Sequence, residues 1–174
     1  MKITFILNGK SVEREIAPAE TLLEMLRACN CSSVRQGCDT ANCGICTVWV
    51  DGVPVLSCSY PAARAEGRQV TTVEGVRPEA EELMTLLAEE GSDQCGYCSP
   101  GFIMAALAML KELENPTEEE IRQYLSGNLC RCTGYVSQAR ALKKLYEKSL
   151  FFNSPSPRRH CRACVLHDRR LGRR

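Results

Sequence analysis

The chain has 174 residues, with 22 Lys and Arg against 21 Asp and Glu, 12 Cys and only 2 His. A composition of 44% hydrophobic and 25% charged residues is typical of packed globular domains, and it excludes a collagenous, supercharged or wholly disordered protein. This length suits one or two small domains. The longest uninterrupted apolar stretch, residues 102–110, is far shorter than the roughly 20 residues that a membrane-spanning helix needs.

The N-terminus predicts a β-strand and no export signal. Ile3, Phe5 and Leu7 alternate with polar residues, and no small-residue cleavage site follows them. In a chain kept in a reducing compartment, thiols at this density are more often metal ligands or catalytic groups than disulfides. We therefore give metal binding priority over a disulfide framework.

Residues 1–76 predict a small mixed sheet with one helix. Asn8-Gly9 and Asp51-Gly52 each lie between two runs of strand-forming residues and are strong hairpin signals. Thr21, followed three residues later by a glutamate, has the capping-box pattern of a helix start. The predicted elements are a hairpin over 2–16, a helix ending near 28, a hairpin over 47–56 and a strand over 69–73.

From residue 77 onward, apolar residues recur at the spacing of an α-helix. Ser99 and Pro100 predict an N-cap and a first helical residue, and residues 99–113 are apolar nearly all round. We expect this segment to be the buried centre of a four-helix bundle, with Met104 and Met109 as core residues. The other predicted helices start near 78, run over 117–126 and run over 137–148.

Residues 151–174 differ from the body of the chain. They contain seven Arg and one Asp, a net charge of +6, so residues 1–150 carry −5. The arginine pairs would suit an acidic partner surface, nucleic acid or membrane, but we expect a disordered basic appendage. The predicted domains are therefore 1–76 and 77–150, followed by this tail at 151–174.

Four cysteines in the first domain have the spacing of a plant-type two-iron two-sulfur ferredoxin. Three of them come from one short loop with four and then two intervening residues, and the fourth is distant. Glycines at 37 and 44 are expected to supply backbone conformations that other residues avoid. The four are Cys38, Cys43, Cys46 and Cys58.

A second set of four cysteines is predicted to lie at helix ends in the second domain. Cys-x-Cys is too tight for the usual pair of zinc-binding arms, which weakens a zinc site here. The positive N-terminal end of the helix after Cys98 would stabilise an anionic cluster. The four are Cys95, Cys98, Cys130 and Cys132.

Three segments resemble the iron-sulfur subunit of the xanthine oxidase family of molybdenum hydroxylases: GCDTANCGICTV at 37–48, QCGYCSPG at 94–101 and SGNLCRCTGY at 126–135. The resemblance implies an α+β chain with a plant-ferredoxin-like (β-grasp) domain before a helical four-helix-bundle domain, each holding one 2Fe-2S cluster. It implies that all eight cysteines above are ligands. It also implies that Gln94 and Cys132 lie at the molybdopterin.

The family further implies partners and a role. Molybdopterin and FAD are expected on separate subunits of a hetero-oligomer, in which this chain passes electrons from the first toward the second and turns over no substrate alone. A purine, another N-heterocycle or an aldehyde is the expected substrate, and the expected location is cytoplasmic, with no nucleic acid bound and no membrane span. A carbon monoxide dehydrogenase or aromatic-thioester reductase of the same family, a zinc-stabilised interaction module and a freestanding ferredoxin remain alternatives.

Four cysteines fall outside both sets. Cys29 and Cys31 follow the first helix and are interpreted as buried or spare thiols. Cys161 and Cys164 lie between two histidines, so a zinc site is formally possible, although the segment has few apolar residues to fold around a metal. We assign none of these four to a cluster.

Removing residues 151–174 should leave both clusters bound, because all eight proposed ligands precede the tail. Iron and acid-labile sulfide per chain, measured on the full and the truncated protein, check this expectation. Loss of either cluster on truncation would make the tail a structural element.

Overall fold

A computed structural model describes the backbone of residues 1–152 and the side chains of residues 1–147. The basic tail beyond residue 152, including Cys161 and Cys164, lies outside the described residues. The elements are β1 (Lys2–Leu7), β2 (Lys10–Glu15), α1 (Leu22–Ala28), β3 (Thr47–Val50), β4 (Val53–Leu56), β5 (Gln69–Thr71), α2 (Arg77–Glu89), α3 (Ser99–Glu112), α4 (Glu118–Tyr124) and α5 (Val136–Phe152). None of the helices within residues 1–152 is long and apolar enough to cross a bilayer.

The five strands form one mixed sheet in the order β2-β1-β5-β3-β4, in which only β1 and β5 pair in parallel. Both predicted hairpins are present, and their two-residue turns are left-handed, as at Asn8 (φ 49°) and Gly9 (φ 80°). This backbone matches the right-handed twist of the strands that it joins. The mixed sheet predicted for the first domain is confirmed.

Helix α1 covers the apolar face of this sheet. Thr21 and Glu24 form the predicted capping box, which satisfies backbone N–H groups at the start of the helix. Ile3 and Phe5 on β1 are each 1% exposed, and they pack with the buried side of α1 into one core. Sheet and helix together therefore provide a rigid base for the loop between α1 and β3.

Helix α3 is the buried centre of the helical domain, as predicted. Residues 101–109 are all buried, and Met104 and Met109 are core residues. Helices α2 and α5 pack beside it, and Glu90 at the end of α2 forms ion pairs with Arg140 and Lys144 on α5. Thr117 caps α4 through a second capping box.

The start of α3 and the end of α5 differ from the sequence prediction. The cap position of α3 is Cys98, not Ser99, because the Cys98 carbonyl accepts the N–H of Phe102 at 3.0 Å. Pro100 then lies within the first turn, where its missing N–H costs no helical hydrogen bond. Helix α5 reaches Phe152, four residues beyond its predicted end and two residues into the segment assigned to the tail.

Strand β3 joins the two domains because it is buried on both faces. Val48 and Val50 belong to the core under α1, whereas Trp49 belongs to the helical core. The Trp49 indole N–H donates to the carbonyl of Met104 at 2.9 Å, and the Lys111 ammonium lies 3.9 Å from the indole ring centroid. A buried indole N–H needs such a partner, so this contact fixes α3 against the sheet.

Gly101 marks the closest approach of α3 to the first cysteine loop. A Cβ atom added there would lie 2.4 Å from the carbonyl oxygens of Gly44 and Ile45, far inside van der Waals contact. Both of those oxygens are backbone atoms of the loop that carries Cys43 and Cys46. A glycine is therefore required for the helix and the loop to touch.

Gly101→Ala should lower the thermal unfolding midpoint, although alanine normally stabilises a helix by about 1 kcal/mol relative to glycine. The reason is that its methyl group would push the loop away from α3. Gly127→Ala is the matched control, since a Cβ there meets nothing within 4 Å. Equal or higher stability of Gly101→Ala would contradict the close approach.

Candidate metal centres

The first set of four thiols is assembled by the loop before β3 and by the hairpin of β3 and β4. The thiols are adjacent in two pairs, Cys38 with Cys43 and Cys46 with Cys58. The hairpin returns the chain to the loop, where the carbonyl of Cys46 accepts both the N–H and the hydroxyl of Ser57, at 3.3 and 2.7 Å. This anchoring places Cys58 beside the loop thiols, as its spacing predicted.

Backbone N–H groups of the loop point at the first thiol. The Asn42 N–H lies 3.4 Å from the Cys38 sulfur, and this hydrogen bond, with others from Cys43 and Thr40, lowers the pKa of Cys38 to about 6. Burial, followed by the neighbouring Cys46 thiol, raises the pKa of Cys58 to about 12. The loop therefore favours a thiolate at Cys38, and thiolate is the form that binds a metal.

The glycines of the loop have two different roles. Gly44 has the predicted left-handed backbone, with φ +68°. Gly37 does not, and the prediction was wrong there: an added Cβ would lie 2.3 Å from Ile45 Cδ1 and 3.2 Å from the Cys43 sulfur, so a larger residue would displace the Ile45 side chain. Ala41 is also left-handed, at φ 55°, a conformation that favours glycine.

The second set of thiols lies where the loop before α3 meets the loop before α5. Its sulfurs also form two pairs, Cys95 with Cys132 at 3.5 Å and Cys98 with Cys130. Backbone N–H of Tyr97, then the Cys132 thiol, lowers the pKa of Cys95, whereas burial raises the pKa of Cys98 to about 12. In each pair of this set, the pKa of one thiol is lowered and the pKa of its partner is raised.

Two hydroxyl groups, from residues just after the last cysteine of the second set, stabilise the loop of that set through hydrogen bonds. The Thr133 hydroxyl donates to the Cys130 sulfur at 3.2 Å, and the Cys130 N–H donates to the Tyr135 hydroxyl at 3.0 Å. Tyr135 adopts φ +70°, so the chain turns sharply just before α5 begins. These contacts bring Cys130 and Cys132 back over the start of α3.

The pairing of the sulfurs fits a two-iron cluster better than a single ion. A 2Fe-2S cluster has four cysteine ligands, two on each iron, whereas one zinc ion needs all four around one point. Each set is arranged as two pairs, and no three Cys, His, Asp or Glu side chains within the described part of the chain converge on a single metal ion. The donor sets therefore match the predicted cofactor.

The two loops touch each other directly. The N–H of Leu129, the residue before Cys130, donates to the Cys43 carbonyl at 2.9 Å. One hydrogen bond therefore joins the backbone of the second loop to a cysteine of the first set. Arg35 forms a second bridge, donating to the carbonyls of Gly96 and Tyr97 at 2.8 and 3.3 Å. No spacing rule singled out Leu129 or Arg35, because their partners are distant in sequence.

The second thiol set opens to solvent, whereas the first is largely covered. Cys95 and Cys132 are exposed, as is Gln94 beside them, while Cys43 and Cys46 are 5% and 3% exposed. Four of the eight large hydrophobic residues that are exposed within the described chain adjoin the second set in sequence. They are Tyr97, Leu129, Tyr135 and Val136.

The two cysteines after α1 lie apart from both sets, as expected of spare thiols. Cys31 is 6% exposed, and burial raises the pKa of its thiol. The Cys29 sulfur is 3.7 Å from the Arg14 guanidinium, and both cysteines are free thiols. Neither contributes to a set of four.

Comparison with known proteins identifies two 2Fe-2S binding domains in the chain. Residues 5–74 match the family described as a 2Fe-2S iron-sulfur cluster binding domain, and residues 72–143 match a [2Fe-2S] binding domain. The chain is 47% identical over 133 residues to the xanthine dehydrogenase iron-sulfur-binding subunit of Escherichia coli, covering 74% of this chain and 84% of that protein.

Two further relatives match a larger share of the chain. The nicotinate dehydrogenase small FeS subunit of Eubacterium barkeri is 41% identical, with 84% of this chain and 97% of that protein covered. The crystal structure of quinoline 2-oxidoreductase from Pseudomonas putida contains a chain with a TM-score of 0.80 and 32% identity, covering 90% of this chain and 98% of that one. The chain therefore belongs to the iron-sulfur small subunits of the xanthine oxidase family of molybdenum hydroxylases.

Proposed function

We propose that this chain passes electrons within a molybdenum hydroxylase, from a molybdopterin subunit toward FAD on another subunit. The observation that carries this proposal is the arrangement of the thiols: two sets, each divided into two pairs, on loops joined by the hydrogen bond from Leu129 to Cys43. Such an arrangement suits consecutive one-electron carriers. No substrate pocket in this chain is needed for that role.

In this proposal every thiol of the two sets is a ligand. The first cluster is held by Cys38, Cys43, Cys46 and Cys58, and the second by Cys95, Cys98, Cys130 and Cys132. When bound, each cluster takes up and releases one electron, at a potential set by nearby charge, hydrogen bonds and solvent exposure. The N–H groups directed at Cys38 and Cys95 stabilise the thiolates that such binding requires.

The exposed face of the second set is the proposed docking site of the molybdopterin subunit. An exposed cluster loop rimmed by Leu129, Tyr135 and Val136 is typical of a surface that a partner covers. Gln94 and Cys132 lie on this face, where the Gln94 amide could hydrogen-bond the pterin. The covered first set would then be the carrier nearer FAD.

The relatives favour an N-heterocyclic substrate for the assembled enzyme. Xanthine, nicotinate and quinoline, which appear in the names of the three proteins compared above, are all N-heterocycles. The proposal also includes an aldehyde as substrate, since the catalytic subunit selects the substrate. A cytoplasmic location is proposed on the thiol-rich composition, which suits a reducing compartment.

The purified chain should contain about four irons and four acid-labile sulfides, because each set of thiols should hold one 2Fe-2S cluster. Reduction should give two distinct electron-spin signals, since one set is covered and the other is open to solvent. Metal analysis and electron paramagnetic resonance check this expectation. About two irons per chain, or stoichiometric zinc, would contradict the two-cluster proposal.

Cys132→Ser should remove or alter only the second cluster, because a serine oxygen is a harder ligand than a thiolate. In the assembled enzyme, substrate should still reduce molybdenum, but FAD reduction should slow strongly. The measurement is rapid mixing with whichever of xanthine, nicotinate or quinoline the enzyme oxidises, with molybdenum, cluster and flavin signals followed separately.

Cys29→Ser is the matched control for this variant, since it changes an equally small thiol outside both sets. It should retain both clusters and the normal rate of FAD reduction. If FAD were reduced at the normal rate in Cys132→Ser, the second set would lie off the electron path and the proposed order would be wrong.

A further inference from the structure

Asn128 lies where three segments of the chain converge. Its side-chain amide donates to the Gly44 carbonyl at 3.1 Å and to the Gly101 carbonyl at 3.4 Å. Gly44 belongs to the first thiol loop, Gly101 to the first turn of α3, and Asn128 itself to the second thiol loop. One side chain therefore links both loops to the helix that carries Cys98.

The packing around this amide leaves no spare room. A Cβ on Gly44 would lie 2.4 Å from the Gly127 carbonyl and 2.6 Å from Asn128 Nδ2. A Cβ on Gly101 would meet the Gly44 and Ile45 carbonyls at 2.4 Å. The backbones are thus in contact, and the Asn128 amide occupies the position between them.

An asparagine amide suits this position because it brings two N–H donors and no charge. The Gly44 carbonyl also accepts the N–H and the hydroxyl of Thr47, at 3.2 and 2.7 Å, so the amide adds the bond that ties this carbonyl to the second loop. An aspartate of the same shape has no donor when ionised, and its carboxylate would face the carbonyl oxygens. The side chain thus matches its surroundings in chemistry as well as in size.

The next residue forms the direct link between the two loops. Leu129, which precedes Cys130, donates its N–H to the Cys43 carbonyl at 2.9 Å. Electron tunnelling weakens steeply with each added gap through space, and a hydrogen bond couples two chains better than such a gap does. The geometry of this one bond therefore matters for transfer between the loops.

We propose that Asn128 is a positioning residue that sets the rate of electron transfer between the two thiol sets, by holding Leu129 against Cys43. The proposal rests on the function proposed above. One electron leaves the reduced cluster on the second set, which is oxidised, and enters the oxidised cluster on the first set, which is reduced. Asn128 touches neither sulfur set in this role and acts through the backbone beside it.

The test uses the full chain with both clusters bound, in complex with its partner subunits. A photochemical one-electron reductant is added below stoichiometry, and freeze-quenched samples report how fast the electron redistributes between the two cluster signals. In Asn128→Ala this redistribution should slow several-fold, while iron content and both reduction potentials stay unchanged. Deuterium exchange at the Leu129 amide should become faster in the same variant.

Trp49→Phe is the matched control, because it removes a different hydrogen bond between the domains, from the indole to the Met104 carbonyl, which involves no residue of either thiol loop. It should lower stability and leave the redistribution rate and Leu129 exchange unchanged. Asn128→Ser, which retains a short donor, should lie between wild type and Asn128→Ala. Asn128→Asp should be as slow as Asn128→Ala.

Three results would overturn the proposal: an unchanged rate in Asn128→Ala, equal slowing in Trp49→Phe, or loss of a cluster in every Asn128 variant while Trp49→Phe keeps both. The last result would make Asn128 a structural residue of the cluster loop. Iron content and two spin signals in the wild-type protein test the proposed function independently, so failure of the function and failure of the inference give different results.

Discussion

Burial of strand β3 on both faces is the constraint on which the positions of the two thiol sets depend. A strand that packs on one side against the core under α1 and on the other against α3 cannot move relative to either domain. The first thiol loop leads directly into β3, and the second set includes the residue that caps α3. Packing β3 between the two cores therefore also brings the two loops together.

Apolar burial in the cores and hydrogen bonds between the loops stabilise the site in different ways. Apolar burial supplies most of the free energy of such a fold, but it has no direction and cannot set the distance between two loops. Hydrogen bonds are individually weaker in net effect and depend on geometry. The directional contacts of Asn128, Leu129 and Arg35 accordingly occur at the meeting point of the loops, at the edge of the packed interface.

Features carried by neighbouring residues were predictable from the sequence. The hairpin turns and the capping box at Thr21 are local, and the structure has the elements that they predicted. The short motifs within each cysteine pattern are local as well, and they mark the loops on which the thiols lie. The bridges of Arg35 and Asn128 were not predictable, because their partners lie 61 and 84 residues away. Gly37 was misassigned for a different reason: its backbone is not left-handed, and its contact is with the Ile45 side chain across the loop, which periodicity does not reveal.

The two thiol sets differ in solvent exposure, and Arg35 gives them a shared charge. Its guanidinium donates to the carbonyls of Gly96 and Tyr97, between two thiols of the second set, while its own backbone leads into the first loop; the Tyr97 ring centroid is 5.3 Å away. A fixed cation favours the more negative, reduced state of any cluster close to it. Solvent weakens that effect at the open second set. Under the docking proposed above, coverage of the second set by the molybdopterin subunit would remove that screening, so that assembly and electron affinity would be linked through a residue that also joins the domains.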